Sequence, residues 1–117
     1  MARSAAGDLG DAALVDGDIA LVLDLRSYRL AAVKKAAYRC AHCFTAIIES
    51  PDGDRLPITL RFATGVLQPV AREATRQFFQ ELLDQELREQ IAEETLAVRT
   101  LILAHAFSNV DLIKRDE

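Results

Sequence analysis

Residues 67–107 read LQPVAREATRQFFQELLDQELREQIAEETLAVRTLILAHAF, and after Pro69 they contain no Pro or Gly. Nothing in the stretch obliges a helix to stop. As one helix from Val70 to Phe107 it would run ~57 Å at ~1.5 Å per residue. A compact chain of this size has a radius of gyration of roughly 13 Å, so the helix is expected to break, or to need cover from outside. Ala71, Ala74, Phe78 and Leu82 form one apolar stripe on it. Leu83, Leu87, Ile91 and Val98 form a second, displaced by about 140–180° around the axis. One straight helix would have to face two cores. A kink or short interruption is therefore expected near Asp84, which could cap a second helix. From Leu96 onward, Leu96, Val98, Leu101, Ile102, Leu103 and Phe107 point in all directions. A helix end that is apolar all round requires burial all round, so this part is expected to pack on another subunit or another protein. Asn109 is placed to end the helix, leaving 108–117 as a polar tail.

The preceding residues supply a sheet for the first stripe. Ile19 to Leu25 (IALVLDL) has no polar alternation before Asp24, which suits a first strand covered on both faces. Ser27 is a candidate N-cap for a helix over 28–41, with Leu30, Val33 and Ala37 on its inner face and Arg29, Lys35 and Arg39 outside. Phe44 to Glu49 and Leu56 to Ala63 flank SPDGDR and form a hairpin, with Pro51 at the first central turn position and Gly53 at positive φ. Phe44, Ala46 and Ile48 share one side of it, as do Ile58, Leu60 and Phe62. Pro57 sits near a strand start, where a missing donor is best tolerated.

The expected fold is α+β. Its β-α-β-β sheet has order 1-3-2, an incomplete ferredoxin-like arrangement, followed by a long, kinked C-terminal helix or two helices. With no fourth strand, the first strand, through Ile19, Leu21 and Leu23, offers an edge at which a peptide could pair; the N-terminal tail or a second subunit could cover it instead.

A chain of 117 residues, half of them hydrophobic, supports one core, which places a single domain at 19–107 behind a loose tail at 1–18. The net charge of −4 argues against a general nucleic-acid binder. Arg26, Arg29, Lys34, Lys35 and Arg39 have no acid among or just after them, whereas the long helical stretch carries seven acids against four bases. The two segments are expected to complement each other or to be solvated, ahead of forming an anion site. The start has no apolar core behind a basic head, so no secretory signal is expected. LAVRTLILAHAF is 12 residues long and interrupted by Arg99, too short to span a membrane. Two cysteines provide no disulfide framework, as suits a reducing cytosol.

Cys40-Ala41-His42-Cys43 has the spacing of a redox dithiol or half a zinc knuckle. It falls at the end of the first helix, where the dipole opposes a thiolate. Zinc would need His42 and the distant His105 as well. Two cysteines also fall short of the three thiolates of a radical-SAM cluster. A structural role is expected for both, with no metal and no cofactor; a small zinc or redox protein using Cys40 and Cys43 is the minor alternative. No catalytic cluster stands out. Asp84, Arg88, Thr95 and Arg99 form a polar seam beside the apolar residues, which reads as a solvated stripe or as partner recognition by charge.

Leu25-Arg26-Ser27-Tyr28, Ala32-Val33-Lys34-Lys35-Ala36-Ala37-Tyr38-Arg39, the hairpin, the run Glu81 to Ile91, Glu94-Thr95 and the run Arg99 to Ser108 resemble the HxsD proteins of His-Xaa-Ser peptide maturation systems. The resemblance covers about residues 19–113. It implies a gene neighbourhood with two radical-SAM maturases and a precursor bearing His-Xaa-Ser repeats, and it supplies no catalytic residue. The expectation is a non-catalytic accessory protein that binds a maturase, the precursor peptide, or both. Leu87, Ile91, Val98, Leu101, Ile102 and Phe107, with Asp84, Arg88 and Arg99, are its candidate partner-binding residues. A homodimer held by the same helix, without peptide binding, is the alternative.

Overall fold

The structure is a computed structural model that describes residues 13–115, with side chains through 108. The ends of both expected tails, 1–12 and 116–117, lie outside the described residues. In chain order the elements are β1 (Asp18–Asp24), α1 (Leu30–Arg39), β2 (Thr45–Ile48), β3 (Arg55–Arg61) and α2 (Gln68–Arg115). The strands form one antiparallel sheet in the order β1-β3-β2. This is the expected α+β arrangement with its incomplete sheet.

Alternation along the strands selects the inner face. Ile19, Leu21 and Leu23 of β1 lie opposite Leu60, Ile58 and Leu56 of β3, and all six are buried. Ala46 and Ile48 of β2 extend the same face, and Phe44 and Phe62 continue it just outside the strands. Val33 and Ala36 of α1 pack here, with Ala71, Ala74, Phe78 and Leu82 of α2. Phe78 meets the Phe44 ring edge-on, at 5.6 Å between centroids and 90° between planes. Aromatic pairs favour this geometry because a positive ring edge meets a negative face.

Two turns differ from the sequence reading. In the hairpin, Asp52 and Arg55 exchange backbone hydrogen bonds of 2.8 and 3.0 Å, so Gly53 (φ +62°) is the first central residue and Pro51 precedes the turn. A second tight turn lies within the expected tail. Val15 and Asp18 exchange backbone bonds, and Asp16 (φ +53°) and Gly17 (φ +82°) between them are both left-handed, the signature of a type I′ turn.

Proline 57 is the third residue of β3, near its start as expected. Its carbonyl accepts the Glu49 N–H at 3.1 Å, and β2 ends at Ile48. The donor that Pro57 lacks would therefore serve only Glu49, just past the end of β2.

The long stretch is corrected in two respects. α2 is a single helix with no interruption at Asp84, and it continues through Asn109 to Arg115. The shift of its apolar face is resolved by exposure of the second stripe: Leu83, Leu87, Ile91 and Val98 are all exposed. The chain nevertheless divides into two units between Glu86 and Leu87, within α2.

Candidate functional site

The second unit begins at Leu87, and every residue from Gln90 to Ser108 is exposed. Ile91 is 61% exposed, Leu101 72%, Ile102 62% and Phe107 67%, values normally reserved for polar side chains. Each such side chain gains about 1.5–3 kcal/mol when it is taken out of water. Exposed apolar surface of this kind makes the stretch the candidate interaction site.

Helical geometry sorts these residues into two stripes. Leu87, Ile91, Val98 and Ile102 fall within a narrow sector at ~100° per residue, with Leu101 at its margin; Leu96, Leu103 and Phe107 lie on about the opposite side. Between the stripes runs an open groove of about 590 Å³ lined by Arg88, Ile91, Ala92, Thr95, Leu96 and Arg99. Grooves between side-chain rows are the feature into which the ridges of another helix pack. Of the expected partner-binding residues, Arg88, Ile91 and Arg99 are thus brought together in the groove. Leu87, Val98, Leu101 and Ile102 adjoin it, Phe107 belongs to the other stripe, and Asp84 lies half-buried in the first unit.

The bases of α1 are largely satisfied within the first unit. Arg39 Nε lies 2.7 Å from Glu81 Oε2. Arg29 Nε and Nη2 donate to the Glu86 carboxylate, which also accepts the Arg29 backbone N–H at 2.9 Å. Arg29, not Ser27, is the N-cap of α1, and its side chain makes no cap bond. Glu86 takes that role from a distance of 57 residues, and its negative charge suits a helix N-terminus. The pattern was invisible to a local reading, because capping signals are sought within a few residues of the helix start. The expected complementarity between basic and acidic segments thus has a concrete form. Tyr38, 83% exposed beside Lys34 and Lys35, is a surface aromatic that the periodicity did not single out.

Both cysteines are free; Cys40 is buried and Cys43 half-buried. Burial pushes the Cys40 thiol above its ordinary pKa, and the charge of Glu81 adds to the effect. That is the opposite of what a nucleophilic or metal-binding thiolate requires. Among the described residues no three His, Cys, Asp or Glu side chains gather as a metal site, and no helix is long and apolar enough to cross a membrane.

At the sheet edge, Ile19, Leu21 and Leu23 do not present their side chains, which are in the core. Their backbones also face inward. Phe62 N–H donates to Gly17 O and Leu25 N–H to Asp54 O, both in the β1–β3 register. Alternation then assigns the cross-strand bonds to the odd-numbered residues of β1. The outward N–H and C=O groups belong to the even-numbered Asp18, Ala20, Val22 and Asp24. Asp18 is capped by Val15, and the Asp24 carbonyl accepts from Ser27 and Tyr28.

With this geometry in place, a family model described as "His-Xaa-Ser system protein HxsD" matches residues 23–113. No match is found among curated proteins or among solved structures.

Proposed function

The chain belongs to the HxsD family of His-Xaa-Ser system proteins, and from that membership we propose that it is a non-catalytic accessory protein of peptide maturation, binding a radical-SAM maturase, the precursor peptide, or both. One observation carries the proposal: the helix from Leu87 to Ser108 displays two apolar stripes and a groove, with Ile91, Leu101, Ile102 and Phe107 all more than half exposed. Such a helix gains most by lying against a larger protein, in the manner of amphipathic helices docked in grooves. The groove between Arg88 and Arg99 would add recognition by charge. The precursor has a separate place in this reading, as an extended segment paired with the outward backbone groups of Ala20 and Val22.

The test is co-expression with the maturases and the precursor, followed by size-exclusion chromatography. Co-elution with a maturase is expected, and Phe107→Asp or Leu103→Asp should abolish it. Elution of the chain apart from every member of the system would overturn the proposal. Retention of the complex by both variants would remove the helix as its interface.

A further inference from the structure

The helix of the second unit carries a heptad pattern that the accessory reading does not use. Ile91 and Val98 occupy d positions, and Thr95 and Ile102 occupy a positions, so β-branched side chains fill four successive layers of one seam, which Arg88 (a) and His105 (d) close at its two ends. The flanking positions are not equivalent. On one side, at g, stand Leu87, Glu94 and Leu101; on the other, at e, stand Ala92, Arg99 and Ala106. All of these residues are exposed. Glu94 and Arg99 are five residues apart, too far to bond on one helix turn, and neither forms an ion pair among the described residues.

Five residues is the offset at which a g position of one helix meets an e position of its neighbour in a parallel coiled coil. In that arrangement each flanking pair matches in kind: Leu87 with Ala92, Glu94 with Arg99, and Leu101 with Ala106 of the second copy. Turning one helix around sets g against g and e against e. Glu94 then meets leucine or another glutamate, and Arg99 meets alanine or another arginine. Of the two orientations, the parallel in-register one matches the flanking positions, Glu94 with Arg99 and leucine with alanine, while Arg88 meets its own copy only at the end of the seam.

We propose that two copies of this chain associate through residues 87–106 as a short parallel coiled coil, with Glu94 of each copy bound to Arg99 of the other. The inference rests on the reading of this helix as an interaction element and adds a partner for one of its two stripes. Leu96, Leu103 and Phe107, on the opposite side, stay open to a larger protein. The isologous interface repeats the ion pair twice about its axis.

Sedimentation equilibrium of the full chain, alone and at low salt, tests the inference. Wild type should be a dimer at high micromolar concentration. Glu94→Arg and Arg99→Glu each turn two attractive pairs into two repulsive ones and should weaken the dimer about tenfold or more, while the double variant E94R/R99E should recover it to within about threefold. Both positions are exposed, so circular dichroism should show unchanged helix content in every variant. A monomeric wild type overturns the inference, as does a double variant no stronger than the weaker single one, which would point to another orientation or another occupant of the seam. Neither result touches the accessory reading, which is decided separately by co-elution with the maturases.

Discussion

Residues 71–82 and 87–102 are two stretches of the same helix with similar apolar content and opposite fates. In the first, Ala71, Phe78 and Leu82 are fully buried against the sheet; in the second, Ile91, Val98 and Ile102 are more than half exposed. Hydrophobicity alone does not decide burial. What differs is whether the chain supplies a surface to receive the stripe, and here the supply ends at Glu86. The first stretch is stabilised by its own fold, while the second leaves its apolar surface in water.

Substitutions should separate the two stretches sharply. Phe78→Ala removes a side chain that touches Phe44 and Phe79, and a loss of about 3–5 kcal/mol is expected in chemical denaturation of the isolated chain. Glu86→Ala leaves the α1 N-terminus without its acceptor and Arg29 without its carboxylate, at a cost of about 1–3 kcal/mol in the same assay. If that variant is as stable as wild type, Glu86 does not hold α1 to α2.

A smaller effect is expected from pH. Hydrogen bonds from Arg61, Arg26 and Arg76 hold the Asp18, Asp24 and Glu73 carboxyls below their ordinary pKa values. Their stabilisation is therefore present above the unfolded carboxylate range near pH ~4 and is lost as pH falls through the lower folded values. All three are solvent-exposed pairs, so thermal melts should move only slightly until the pH drops below about 4. Phe107→Asp should move stability least of all, within about 0.5 kcal/mol, while abolishing co-elution. A variant that unfolds the chain would place Phe107 in the first class and end the contrast.

Much of this contrast was legible in the sequence. The period-2 pattern around SPDGDR gave the hairpin, the connection lengths gave the order β1-β3-β2, and the rotation of the apolar stripe near Asp84 marked the place where the compact unit ends. The interruption expected from that rotation is absent, because a continuous helix can leave its second stripe exposed. Boundaries set by distant residues were also out of reach. Nothing near Ser27 indicates that the cap of α1 is Glu86, and nothing in Ile19, Leu21 and Leu23 indicates that the outward backbone groups of β1 belong to their even-numbered neighbours. The VDGD turn could have been found: Asp-Gly flanked by an apolar strand is a strong hairpin signal, but its position in a polar tail concealed it.

That turn also bears on solubility. By folding Val15 onto Asp18 at one end, while Ser27 and Tyr28 hold the Asp24 carbonyl at the other, the chain shortens the open edge of β1 to Ala20, Val22 and the Asp24 N–H. Fibrillar stacking requires a long, flat edge that can template copy after copy. An opening this short does not, so a sheet without its fourth strand gives such stacking little to template on.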